Sequence, residues 1–187
     1  MITTINSIYI QWKDHPNNRK LIGIDWGEKR IGIAVSDRSG LIASPLCTVN
    51  YRRNKACGRK GHNMTRRTDS APKKTPQKSA EQLLEETVKD ILDIINAEAP
   101  IAVNIGLPVN MDGSHGFQAE KVQHFADVLS QSVSVPIILT DERLSSAAVE
   151  KSMIQADLTR LQRAKRIDQT SAAYVLQQVV DHLRTFA

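Results

Sequence analysis

Three acidic residues stand where a shared site could form. Asp25 ends a short apolar run, Glu142 follows a second apolar run, and Asp168 precedes an alanine-rich helical stretch. Neighbouring carboxylates repel one another, and a divalent cation offsets that repulsion because Mg²⁺ prefers oxygen ligands. The set therefore predicts a catalytic site for Mg²⁺ (or Mn²⁺) whose ligands are Asp25, Glu142 and Asp168.

The chemistry expected of such a site is phosphodiester hydrolysis. Two divalent ions about 4 Å apart can activate an attacking water and neutralise the leaving oxygen. Each acid also has a purely structural interpretation: Asp25 could form a turn at a strand end, and Glu142 and Asp168 could cap helices, where acids suit the helix dipole. The joint placement of the three acids on one topology favours the catalytic interpretation.

The elements that must position these acids follow from the spacing of apolar residues. Strands at 21–25, 30–36 and 43–50 are so close in sequence that only tight turns can join them, which predicts an antiparallel meander. Helices then alternate with buried strands at 101–107 and 136–140, and a final helix is expected to open at Asp168. Residues before 20 show no regular pattern.

This order predicts an α/β fold with a mixed five-stranded sheet flanked by helices, in which three antiparallel strands precede parallel αβ crossovers. The first, fourth and fifth strands should be parallel neighbours. Because sites in open α/β sheets form beyond the carboxyl ends of parallel strands, Asp25 and Glu142 should face the same crevice.

Positive charge is concentrated in one segment of the chain. The 187 residues carry a net charge of +5, but residues 51–80 contain ten Lys or Arg and one acid, so the remainder is mildly acidic. Such a segment suits non-specific contact with nucleic-acid phosphates, although a solvated loop without a partner has the same composition. We expect an N-terminal extension over residues 1–19 and a single domain over residues 20–187, with a basic, flexible insertion at 51–80.

The composition excludes other classes. No stretch approaches the roughly 18 to 20 apolar residues of a membrane span, so no membrane partner is expected. Two cysteines do not make a disulfide framework, and the reducing cytoplasm is the expected location. A Rossmann oxidoreductase is disfavoured because no G-x-G-x-x-G motif follows the first strand.

Four sequence blocks, in order, resemble the signature of the YqgF family, also called RuvX: LIGIDWGEKRIGIAVSD, GLPVNMDGSHG, DERLSS and RIDQTSAAYVLQ. The family contains Holliday junction resolvases and pre-16S rRNA nucleases. The resemblance implies a ribonuclease H-like fold and metal-dependent cleavage, with Asp25, Glu142 and Asp168 as the acidic triad. It also implies nucleic-acid contacts, for which the candidates are Arg30, Asn110, Asp112, Gly113, Arg143 and Arg166.

Three alternatives remain open from the sequence. An actin-like or sugar-kinase-like ATPase has a similar GIDWG loop but needs roughly twice this length. A non-catalytic RNA-binding module of the same fold should have lost at least one of the three acids. Within the nuclease class, processing of the 5′ end of pre-16S rRNA, with a ribosomal assembly as a partner, is preferred to cleavage of branched DNA. A resolvase acts as a dimer on a two-fold symmetric substrate, and the sequence allows a monomer or a homodimer.

Overall fold

A computed structural model describes residues 1–27, 29–50, 79–109, 114, 116–141 and 160–185, and it describes only the helical backbone at 160–170. In chain order the strands are β1 (Ile2–Thr3), β2 (Leu21–Trp26), β3 (Arg30–Ser36), β4 (Ala43–Asn50), β5 (Ala102–Leu107) and β6 (Ile137–Asp141). The helices are α1 (Ile5–Asp14), α2 (Ala80–Glu98), α3 (Phe117–Ser130) and α4 (Arg160–Thr185). Within the described residues, no helix has the length and apolar character needed to cross a membrane.

The described strands form one sheet in the order β1-β6-β5-β2-β3-β4. Strands β2, β3 and β4 are an antiparallel meander, whereas β5 is parallel to β2, and β6 is parallel to both β5 and β1. The predicted α/β class and the predicted neighbours of the first strand are therefore confirmed.

Two apolar clusters cover opposite faces of this sheet. One contains Ile22 and Ile24 of β2 together with α2 and α3. The other contains Leu21 of β2 together with α1 and α4, and we call its side of the sheet the α4 face. Because successive strand residues point to opposite faces, Leu21, Gly23 and Asp25 all project towards the α4 face.

The predictions of five strands and an irregular N-terminus are wrong. Residues 1–19 contain β1 and α1, so the sheet has a sixth strand at the β6 edge. Ile8 and Trp12, one helical turn apart on α1, are each 1% exposed within the α4-face cluster. The Trp12 ring also lies 4.3 Å from the Arg19 guanidinium. A two-residue strand and a ten-residue helix carry too little periodicity to stand out in the sequence. Pairing with β6 stabilises β1, and packing against α4 stabilises α1.

Two predicted boundaries also change. The insertion ends by residue 78, because Ser79 caps α2: its hydroxyl accepts from the Gln82 amide, and the Gln82 side chain accepts from the Ser79 amide. The final helix begins at Arg160 rather than at Asp168, so Asp168 lies more than two turns inside α4 and does not cap it. Residues 51–78 and the helical stretch expected before residue 160 lie outside the described residues.

Candidate active site

Asp25 stands in β2 between two strands that present glycine beside it. Its register partner on β3 is Gly32, which pairs in turn with Thr48 of β4. On the other side Gly106 of β5 comes one residue after Ile105, the partner of Ile24. Glycine within a strand weakens the sheet and often marks a place where a ligand approaches closely. The half-buried Asp25 therefore stands in register with a glycine on each of the two flanking strands.

Helix α4 runs antiparallel to β2 across this face. It packs tightly on Gly23, where an added Cβ would lie 3.1 Å from the Ala172 carbonyl oxygen and 2.9 Å from the Cβ of Leu176. Further along the helix, the Gln177 side chain accepts a hydrogen bond of 2.7 Å from the amide of Ala43. Ala43 pairs with Ser36, and the Ser36 hydroxyl accepts a hydrogen bond from the amide of Leu21, the first residue of β2. The carboxyl-terminal part of α4 therefore lies over the amino end of β2.

The direction of α4 determines how far along β2 the position of Asp168 lies. Asp168 is one turn before Ala172 on the same helix face, about 6 Å along the axis. Asp25 is two residues after Gly23 on β2, about 6.6 Å in the same direction. The backbone therefore brings the positions of Asp25 and Asp168 to the same level of the sheet.

A buried polar pair lies on the neighbouring strands. Asn104 of β5 is 1% exposed and is the register partner of Gly23. Its amide oxygen accepts a hydrogen bond from the hydroxyl of Thr140 on β6. Its amide nitrogen is buried without a hydrogen-bond partner among the described residues. On the α4 face, the pair of Gly23 and Asn104 therefore lies two residues before the pair of Asp25 and Gly106, and it includes an amide donor without a partner among the described residues.

Arg30 is exposed at the same end of the sheet. Its carbonyl accepts a 3.0 Å hydrogen bond from the amide of Gly27, closing the turn after β2. Its register partner is Asn50, the last residue of β4. Arg30 therefore lies beside Asp25 and at the start of the basic segment, as its predicted role in nucleic-acid contact requires.

The remaining predicted site residues lie outside the described part of the chain. These are Glu142, which directly follows β6, the loop residues Asn110, Asp112 and Gly113, and Arg143, together with the side chains of Asp168 and Arg166. Within the described residues, no group of three His, Cys, Asp or Glu side chains could hold a metal ion.

Sequence reasoning missed the glycines that flank Asp25, Gly32 and Gly106, and the buried pair of Asn104 and Thr140 on the neighbouring strands. Both glycines interrupt apolar strands, and this is the signal that could have drawn attention to them. Which face of the sheet they share with Asp25 depends on register, which the local sequence does not reveal.

A divalent cation fits the chemistry of this region. Asp25 supplies a carboxylate oxygen, and the residues in register with it on the flanking strands are glycines, which add no side chain on the α4 face. Mg²⁺ is commonly bound by one or two carboxylates plus waters and substrate phosphates, so it does not need a closed cage of protein ligands. The fit rests on the donor type and on the two glycines that flank Asp25.

A solved structure shares this fold. RuvC of Thermus thermophilus, solved in complex with a Holliday junction substrate, aligns with a TM-score of 0.52 at 15% identity over 89% of this chain and 96% of its own. At that identity the similarity concerns the fold alone, and it agrees with the predicted ribonuclease H-like architecture.

Sequence similarity is closer. A protein of Acidiphilium cryptum, named as a candidate pre-16S rRNA nuclease, is 37% identical over 90% of this chain and 87% of its own length. A protein of Methylocella silvestris with the same name is 41% identical over 89% and 84%. The sequence profile of RuvX, described as a Holliday junction resolvase, matches residues 19–70 and 61–182. The chain belongs to the RuvX family, as its four motif blocks predicted, and is an enzyme of the nuclease class.

Proposed function

We propose that this chain is a divalent-metal-dependent nuclease that hydrolyses phosphodiester bonds of structured nucleic acid. The observation that carries the proposal is the setting of Asp25: a carboxylate between two glycines, at the carboxyl end of parallel strands and at the height of Asp168. This is where open α/β sheets form their sites.

Asp25, Asp168 and Glu142 are the proposed metal ligands. The antiparallel course of α4 supports the pairing of Asp168 with Asp25. Glu142 comes two residues after Thr140, which is the register partner of Gly106 and projects towards the α4 face. Continued alternation from Thr140 to Glu142 would direct the third carboxylate to that face. Strands β2 and β6 are about 10 Å apart, two strand spacings, and between them β5 presents only the hydrogen of Gly106.

The protein's own residues prepare this site in two ways. Gly32 and Gly106 leave room for a phosphate group beside Asp25, and Arg30 offers a guanidinium that can bind a neighbouring phosphate. A bound Mg²⁺ or Mn²⁺ would supply Lewis-acid activation of water and stabilisation of the leaving oxygen.

The basic segment is proposed to hold the nucleic-acid backbone. It starts after Asn50, which pairs with Arg30 at the end of the sheet where Asp25 lies. It ends at Ser79, the start of α2. The other end of α2 is fixed at the amino end of β2, where Glu98 forms a 2.9 Å ion pair with Lys20. A 19-residue helix is about 28 Å long, so Ser79 lies at the carboxyl end of the sheet.

The proposed substrate is the 5′ end of pre-16S rRNA, cut in the cytoplasm by the free enzyme or within a ribosomal assembly. The names of the relatives support this choice. A second candidate is the four-way DNA junction, supported by the description of the family and by the junction bound to the RuvC structure that shares this fold.

The test is a cleavage assay with and without Mg²⁺ or Mn²⁺, using pre-16S RNA and a four-way DNA junction as substrates. Asp25→Asn should abolish metal-dependent cleavage, because the amide removes the negative charge that binds the cation. Asp37→Asn is the matched control, since this exposed aspartate lies in the β3–β4 turn at the opposite end of the sheet.

The outcomes separate the candidates. Cleavage of only one substrate identifies it, and a dimer by light scattering would favour the junction. Cleavage that survives Asp25→Asn refutes the proposed site. Intact binding of RNA without cleavage under any metal condition would assign the chain to the RNA-binding alternative.

A further inference from the structure

An exposed aromatic side chain at the start of α3 has no role in the proposed metal site. Phe117 is 70% exposed, and the ammonium of Lys121, one turn later, lies 4.2 Å from the ring centroid. An exposed cation–π contact contributes little to stability, and burial of the ring would stabilise the fold by more. The placement of Phe117 is therefore not explained by stability.

The position of Phe117 follows from the course of α3. The rings of Phe125 and Trp26 are 4.4 Å apart, so Phe125 lies at the carboxyl end of β2, on the face of the sheet opposite to α4. Helix α3 then leads to β6, which starts beside Val103 near the amino end of β5. Phe117 is eight residues before Phe125, about 12 Å along the helix axis. It therefore stands beyond the carboxyl ends of the strands, at the end of the sheet that carries Asp25.

We propose that Phe117 and Lys121 form a binding subsite for an unpaired nucleotide of the substrate, at the end of the sheet that carries the proposed metal site. The base stacks on the ring face opposite Lys121, and the ammonium binds a phosphate of the same strand. This inference rests on the proposed nuclease function and adds a substrate feature to it: the nucleic acid is single-stranded at this point.

Two features determine this ligand class. Bases in a duplex are covered by their neighbours, so only an unstacked base can present its face to a side chain. Stacking on an aromatic ring tolerates any base, since every base has a π face. Glu120, exposed beside Lys121, would repel a phosphate and so restricts phosphate binding to the Lys121 side.

The test measures binding by fluorescence anisotropy in EDTA, where cleavage cannot occur, with an unstructured labelled oligoribonucleotide and with the same strand in a duplex. Phe117→Ala should weaken single-strand binding by about 5- to 150-fold, the range for one aromatic–base stack, and leave duplex binding unchanged. Phe117→Trp should retain tight binding. Lys121→Ala should lower the slope of log K against log salt by about 0.7, the value for one phosphate contact on a single strand.

Controls separate stacking from general effects. Ile42→Ala removes a side chain that is 64% exposed in the β3–β4 turn and should leave binding unchanged. Phe117→Leu keeps an apolar surface without a π system and should bind as weakly as Phe117→Ala. Equal binding by Phe117→Ala and wild type refutes the subsite, as does full binding by Phe117→Leu or the lack of measurable single-strand binding by wild type.

The two proposals fail independently. Loss of single-strand affinity in Phe117→Ala, together with a wild type that cleaves nothing, would keep the subsite as part of an RNA-binding module. Metal-dependent cleavage that requires Asp25, with normal single-strand affinity in Phe117→Ala, would keep the nuclease and remove the subsite.

Discussion

Helix α4 packs directly on Gly23 of β2, so an alanine there tests whether this contact positions Asp168 relative to Asp25. The added Cβ would lie 2.9 Å from the Leu176 Cβ and 3.1 Å from the Ala172 carbonyl oxygen. Favourable carbon contacts begin near about 3.5 Å, so Gly23→Ala must push α4 away from the sheet by roughly 0.5 Å. Both contacting atoms are held by the helix backbone, and a rotamer change cannot relieve the clash.

The expected magnitudes follow from this displacement. Overpacking of this kind costs about 1–3 kcal/mol in the free energy of unfolding. For a chain of this length that corresponds to a decrease in Tm of about 2–12 °C. Asp168, one turn before Ala172, moves with the helix relative to Asp25. Because misplacing a reacting group by about 1 Å can cost about 100-fold in rate, we expect the cleavage rate to fall by roughly 10- to 100-fold.

Gly40→Ala is the matched control. Gly40 has a φ of +65°, and an added Cβ would lie 2.8 Å from the Trp12 ring, so this variant should lose comparable stability. Gly40 belongs to the β3–β4 turn at the opposite end of the sheet from Asp25. We therefore expect its single-turnover cleavage rate to stay near that of wild type at a temperature where both variants are folded, as judged by circular dichroism.

The reasoning fails if Gly23→Ala is destabilised but cleaves its substrate at the wild-type rate, because the height of Asp168 would then not depend on this contact. Equal loss of activity in folded Gly40→Ala would show that lowered stability alone, rather than displacement of α4 at the site, reduces the rate.

Two further predictions concern buried and titrating groups. Asn104→Val should raise the free energy of unfolding, measured by urea denaturation without metal, by about 1 kcal/mol. The substitution removes an amide donor that has no partner among the described residues, and it loses one hydrogen bond from Thr140. A clear loss of stability would contradict this prediction. Burial raises the pKa of Asp37, but hydrogen bonds from the Ile42 amide and from Ser39 outweigh that effect and lower it from 3.8 to about 2. The resulting stabilisation is present above about pH 4 and is lost as the pH falls towards 2. Asp37→Asn should therefore reduce the dependence of the unfolding free energy on pH between about 4 and 2, by at most about 1 kcal/mol because the group is exposed. An unchanged slope of unfolding free energy against pH would contradict this.

Much of the fold was predictable because its signals are local. The runs Leu21 to Trp26 and Ala102 to Leu107 are apolar on both faces, as buried parallel strands require. The capping box of Ser79 and Gln82 marks the start of α2 within four residues of sequence. Once type and order of the elements are known, handedness and connection rules leave few arrangements of the sheet.

The N-terminal segment shows where local signals were insufficient. Helix α1 has only ten residues and no side-chain cap, so its own sequence predicts a marginal helix. Ile8 and Trp12 become informative only because α4 and the sheet provide a surface that buries them. The start of α4 was misplaced for a related reason: the apolar periodicity is clear only from about residue 172, and the helix extends further towards its amino end.

Residue types and short spacings were enough to predict the candidate acidic residues, the family, and the alternation of strands and helices. The folded chain was needed to show that Gly32 and Gly106 flank Asp25, that the amide nitrogen of Asn104 is buried without a partner among the described residues, and that α4 packs on β2 at Gly23. These relations depend on strand register and helix direction, which join residues up to about 150 positions apart. They are selected by the packing of whole faces, and no single segment contains that information.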